Sequence, residues 1–235
     1  MPQLPPPRMV HDMAEAADQP RDDPLVSLRE PLRLPADRYG KRLRAVLNEI
    51  DQLHGVPRIK PIGVKINNDR GVLGRYVKHP GTGEPLRIEL SRRKNDRLEL
   101  TFAHEVGHFL EGAVIPGSTF GVRKWAFDDV TQSWRAAIRS TSSFQRLRSI
   151  VEAGGTIPGL EEAPQFVSYL LQDQELWARS YAQYVAVRSH SETLLEQIHP
   201  RCFPQSAVPI QWNREEFEPV AEVIETLLER IGWRK

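Results

Sequence analysis

The feature that most constrains this chain is a change of hydrophobic period near Asn95. Before it, "RIKPIGVKI" (58–66), "GVLGRYVKH" (71–79) and "EPLRIELS" (84–91) are short and rich in Val, Ile and Tyr, and "NNDRG" and "PGTG" separate them. Runs of this kind read as strands joined by turns. In the last, Leu86, Ile88 and Leu90 alternate with Arg87 and Glu89, which predicts one wet face. After Asn95 the apolar residues return at helical spacing. This predicts helices over about 95–111, 129–152, 161–171, 173–189 and 214–231, with long connections at 113–129 and 198–212. One further helix precedes the strands, carried by Leu43, Val46, Leu47, Ile50 and Leu53 between Asp37 and "HGVP". Strands first and helices after imply an α+β domain with a small sheet.

The N-terminal stretch has a different character. Residues 1–36 hold eight prolines among acidic residues, too little apolar surface to offset the entropy of ordering. We expect residues 1–24 to be a disordered arm and 25–36 a lead-in, so that one domain spans 25–235. A chain of 235 residues suits one such domain. Its net charge of +1 gives no electrostatic case for nucleic acid or an anionic membrane. No apolar run reaches the ~18 residues of a membrane span. Cys202 is the single cysteine, so no internal disulfide forms. The first residues lack the apolar core of a secretory signal. A cytoplasmic protein is the default expectation; export without a cleaved signal stays open.

The chemistry concentrates in "TFAHEVGHFLEG" (101–112). Residues four apart on a helix share a face, so His104 and His108 can offer two imidazoles to one metal ion. Leu98, Phe102, Val106 and Phe109 form an apolar stripe, and the histidines lie roughly 150° from its centre. Gly107 leaves room for a close neighbour. Glu105 follows His104, where it can serve as a general base toward a metal-activated water. By chance, His-Glu-x-x-His arises in about one or two such sequences per hundred. The competing reading is a pair of surface histidines on an amphipathic helix.

"LELTFAHEVGHFLEG" resembles the active-site helix of the zincin metallopeptidases. The resemblance covers about 85–190. It implies a zinc cofactor, a protein or peptide substrate, and a substrate-binding edge strand just upstream. "PLRIELS" stands in that place, which assigns substrate binding to Leu86, Arg87, Ile88, Glu89 and Leu90. Zinc peptidases use three protein ligands and keep one position open. The metzincin spacing fails here, since Glu111 and Val114 stand where that pattern wants Gly and His. The gluzincin pattern takes a Glu from a later helix. In "DQELWARSYAQYVAVRS" (173–189), Glu175 shares a face with Ala178, Ala182 and Ala186, a stripe of small residues that lets two helices approach closely.

"QELWARSYAQYV" is similar to the segment around the zinc-binding Glu in the anthrax lethal factor catalytic domain and related phage and toxin peptidase-like domains. The resemblance implies His104, His108 and Glu175 as zinc ligands, Glu105 as general base and Tyr169 as an oxyanion-stabilising residue, one position out of register. Glu175 can also be read as an acidic residue favouring the helix macrodipole, and Tyr169 as a tyrosine packed at a helix end. Glu152, Glu161 and Glu162 are poorer ligand candidates. Relatives often carry an acidic residue four after the ligand Glu, and this chain has Arg179. Asp128 and Asp129 are the candidates to replace it in orienting a histidine.

Of the remaining features, "SRRKNDR" (91–97) reads as a solvated loop that can also favour acidic substrates near a cleft. The five tryptophans and Cys202 read as structural. Residues 214–233 read as an amphipathic helix docked on the domain. The expectation is a zincin-like peptidase. The alternative is a regulatory or toxin-like zincin module that binds a protein partner with restricted or lost proteolysis. The sequence leaves the oligomeric state undetermined.

Overall fold

A computed structural model describes residues 24–93, 96–113, 128–154 and 163–234. Expectations for the N-terminal arm, for most of the 113–129 connection, for Trp125 and for Glu161 and Glu162 lie outside these residues, as do the side chains of Asp128 and Asp129. Among the described residues the chain is α+β, with eight α-helices and one four-stranded mixed sheet.

The first strand is short, β1 (Leu32–Arg33). Helix α1 (Arg38–Leu53) starts where Asp37 accepts the N–H groups of Tyr39 and Gly40, a side-chain N-cap. It buries Leu43, Val46, Leu47 and Ile50 at helical spacing. Strands β2 (Ile62–Asn67), β3 (Gly74–Lys78) and β4 (Pro85–Ser91) follow. The sheet order is β1-β2-β4-β3: β1 and β2, and β2 and β4, are parallel, and β3 turns back antiparallel on β4. Strand β4 is therefore interior. The wet face expected for it is largely absent, since Glu89 is nearly buried between Arg75 and Arg87.

The helices continue as α2 (Leu98–Ala113), α3 (Asp128–Ser140), α4 (Ser142–Glu152), α5 (Ala163–Leu170), α6 (Asp173–Arg188), α7 (Glu192–Ile198) and α8 (Arg214–Arg230). A short 3-10 turn, His199–Arg201, follows α7. The helix expected over 129–152 is two helices. Thr141 caps the second by accepting the Phe144 N–H, and its hydroxyl donates to the Ile138 carbonyl. The "STSS" run favours such local bonds over a continuous helix. Helix α7 was not expected; at seven residues it is too short to show a period, although Ser191 caps it.

Two helices make the centre. Helix α2 lies against β3 and β4 on one side and along α6 on the other. Helix α6 is buried from Glu175 through Val187. A helix enclosed on all sides must satisfy its polar groups internally. Here Tyr181 meets buried His54, Ser180 accepts the Trp134 indole N–H, and Gln183 exchanges bonds with the Trp212 main chain. Trp134, Trp177, Trp212 and Trp233 lie in the core. Buried Cys202 donates to the Trp212 carbonyl, and burial raises its pKa to about 11. A smaller apolar cluster of Leu147, Ile150, Val167, Leu170 and Val208 fixes α5 onto α4.

Candidate metal centre

The close crossing of α2 and α6 brings the chemistry together. A Cβ built on Gly107 would stand 3.0 Å from the Ala178 Cα, so glycine there is what lets the two backbones meet. The Trp177 indole N–H donates to the Gly107 carbonyl at 3.1 Å and ties the helices at that level. One turn from this contact, Glu175 projects from α6 toward the histidine face of α2.

His104 Nε2 and His108 Nε2 are 3.1 Å apart. Glu175 Oε2 lies 3.4 Å from His104 Nε2, and Glu175 Oε1 lies 3.2 Å from His108 Nε2. Three ligands on one tetrahedral ion at ~2.0–2.1 Å are separated by about 3.3 Å along the tetrahedral edge. The three side chains thus fit a zinc ion in both spacing and donor type. Among the described residues they form the one group of this kind. Glu152, an alternative ligand, is instead exposed and paired with Arg148.

The two neighbouring carboxylates are pushed in opposite directions. Burial raises the Glu175 pKa, but the hydrogen bonds and charges of His104 and His108 outweigh it and hold the group well below the usual carboxylate range. Burial also raises Glu105, and there it prevails over the charges of His104 and His108. His108 is pulled down by burial but raised overall by Glu175 and Glu105. Glu105 is thus adjacent to the ligand set without belonging to it. Gly74 on β3 backs onto it, and a Cβ there would stand 2.8 Å from Glu105 Oε1.

Tyr169 reaches the same place from α5. It is 44% exposed, yet that exposure faces the cleft, because Val167 and Leu170 take the buried side of the helix. Burial of the hydroxyl and the facing Glu175 carboxylate raise its pKa. The phenol therefore stays protonated at neutral pH, as a hydrogen-bond donor must. It is not simply packed at a helix end.

A cleft of about 340 Å³ opens on the His104 side of this group, lined by Leu100, Phe166, Tyr169 and Ile210 among others. A second lobe of about 400 Å³ continues on the His108 side, past Tyr76 and Glu111. Both lobes run beside Val72, just before β3, and Gly74 at its start. This corrects the substrate-strand assignment to Leu86, Arg87, Ile88, Glu89 and Leu90. β4 has a neighbour on each side, β2 and β3, so its main chain has no free edge for a peptide. The free edge beside the cleft belongs to β3. Strand proximity along the sequence suggested β4; the β3–β4 hairpin reverses which strand lies outermost.

Arg179 has no carboxylate role toward a histidine. Its guanidinium donates to three main-chain carbonyls, Leu170 and Ile210 at 2.6 Å and Glu175 at 3.3 Å, and it stacks over Trp212. It joins the end of α5, the loop before α8 and the first turn of α6. Burial lowers its pKa to about 10, still charged at neutral pH. Sequence reading missed Gly74, Arg201 and Ile210 as cleft residues; only the glycine, breaking a strand-like run, carried a signal.

No helix among the described residues is long and apolar enough to cross a membrane. Comparison with protein families, with curated proteins and with solved structures finds no match for this chain.

Proposed function

We propose that this chain is a zincin-type metallopeptidase of the gluzincin kind, with zinc held by His104, His108 and Glu175. The observation that carries the reading is the tetrahedral-edge spacing of those three ligand atoms, with Glu105 beside them and outside the set. Zinc at such a site supplies Lewis-acid chemistry, lowering the pKa of a water toward ~7 and polarising a carbonyl.

The side chains divide the remaining work. Glu105, with its raised pKa, accepts a proton from the attacking water and passes it to the leaving amine. The Tyr169 hydroxyl donates a hydrogen bond to the carbonyl oxygen as negative charge gathers there. The β3 edge at Gly74 offers main-chain groups to an extended peptide, which would bind by strand addition. The apolar lining excludes water from the scissile bond.

Glu105→Gln tests the reading. It keeps the side-chain size and removes the base, a function worth about 10²–10⁴-fold in rate. The variant should fold, retain zinc and lose nearly all cleavage in a peptide-digestion assay. Wild-type cleavage undiminished in a zinc-loaded variant would refute the assignment. A partner-binding zincin module predicts instead that the biological effect survives this substitution.

A further inference from the structure

The lobe on the His104 side has a basic wall that neither metal binding nor proton transfer uses. Arg97 comes from the residue before α2, Arg179 from α6 and Arg201 from the 3-10 turn, and all three line the cavity that holds His104, Glu105 and Glu175. Their charges are poorly matched. Arg179 is fully enclosed, and among the described residues its hydrogen bonds go to neutral carbonyls, with the charge of Glu175 nearby. Arg201 donates one Nη to the Gln197 carbonyl, and its other Nη lies 3.6 Å from Asp96, a largely exposed carboxylate. Among the described residues the Arg201 Nε is buried with no acceptor. Arg97 shares the same Asp96; its pKa is lowered first by burial and then by the charge of Arg201.

An uncompensated cation in a partly dry cavity is costly unless an anion arrives. Glu175 is the carboxylate that acts on Arg179, but it faces His104 and His108, and among the described residues Arg97 and Arg201 are left with Asp96 alone. Guanidinium groups grip carboxylates through two parallel hydrogen bonds, and apolar surroundings strengthen the attraction. Leu100, Phe166 and Ile210 supply such surroundings here.

We propose that this lobe is a subsite for a peptide carboxylate next to the scissile bond, bound by Arg97 and Arg201 with Arg179 as a fixed positive support. The carboxylate belongs to an Asp or Glu side chain or to the peptide's C-terminus. The position beside a scissile bond rests on the metallopeptidase reading; the charge of the lobe does not. The run 91–97, which the catalytic scheme leaves aside, thereby gains a role through its last residue.

The test uses a synthetic random peptide library, one half capped at both ends and one half with free C-termini. Zinc-loaded wild type digests the library, and mass spectrometry maps the cuts. Asp and Glu should be enriched about tenfold or more at one position beside the cut, the size of one or two charge-assisted hydrogen bonds. Arg97→Gln should lose that enrichment with zinc content and melting temperature unchanged, and the Arg97→Gln/Arg201→Gln pair should lose it with zinc content unchanged. The single variant keeps the test decisive if the pair folds poorly. Cuts confined to free C-termini identify the terminal carboxylate as the source. Cuts without acidic enrichment, or enrichment unaltered in the variants, overturn the proposal. In parallel, immobilised Glu105→Gln protein captures peptides from the same library. If wild type cuts nothing, the peptidase reading fails, and capture decides the subsite: acidic peptides held in an Arg97- and Arg201-dependent way support it, and capture without acidic preference overturns it.

Discussion

Glu105 and Glu175 share one cleft, and their surroundings push the two carboxylates in opposite directions. Each is buried, and burial alone raises both. Glu175 is pulled down again by direct bonds to the two histidines, so it stays an anion suited to ligation. Glu105 stays raised, which suits a group that takes and returns a proton. The ligand role proposed for Glu175 gives a residue-scale expectation. Glu175→Gln should weaken zinc retention by about 10-fold or more during dialysis, as loss of one charged ligand in three implies. Glu152→Gln, which alters an exposed carboxylate, should leave retention unchanged. Equal zinc content in the two variants would mean the wrong carboxylate is assigned. At this scale the histidine pair and Glu175 are legible in the sequence, because helical spacing and a run of small residues are local signals. The contacts of Arg179 are not, since its partners are carbonyls of Leu170 and Ile210, whose side chains say nothing about them.

Between elements, the separation of α2 and α6 sets the geometry of the centre. Gly107→Ala should push the helices apart, since the new methyl meets the Ala178 backbone at 3.0 Å and backbone yields little. We expect a loss of about 1–3 kcal/mol in denaturant unfolding, together with weaker zinc retention as Glu175 withdraws. Unchanged stability and zinc content would show that the crossing tolerates the methyl. A second junction lies at the start of α8, where Asn213 and Glu216 form a capping box. Glu216 also accepts from the Ser142 hydroxyl and the Ser143 main-chain N–H, joining α8 to α4. Burial raises its pKa, but the serine and main-chain bonds prevail and lower it. A carboxylate depressed by folding stabilises fully above its ordinary value near 4.5 and loses that contribution as pH falls through the depressed value. Glu216→Gln should cost about 1.5–3 kcal/mol at pH 7. The gap to wild type should shrink below pH 4 in urea titrations; a gap independent of pH would contradict the assignment. The helical period runs on across the break between α3 and α4, so the sequence reads as one helix over 129–152, and α7 is too short to announce itself.

Across the whole molecule, the sheet order decides which strand meets the cleft. Local patterns identify β2, β3 and β4, and the α+β class follows from their position before the helices. The order β1-β2-β4-β3 does not follow, because a hairpin fixes that β3 and β4 pair but not which one borders the remaining sheet. That single ambiguity moved the expected peptide edge from β4 to β3. The same non-local packing gathers α2, α5 and α6 so that His104, His108, Glu175, Glu105 and Tyr169 surround one point. Whether zinc binds at that point can be addressed directly by diffraction. Crystals of the protein supplied with zinc should be measured on both sides of the zinc absorption edge. One anomalous peak per chain is expected within about 2.0–2.2 Å of His104 Nε2, His108 Nε2 and a Glu175 carboxylate oxygen. A difference map with no peak there, or with zinc bound only elsewhere, would contradict the proposed zinc site.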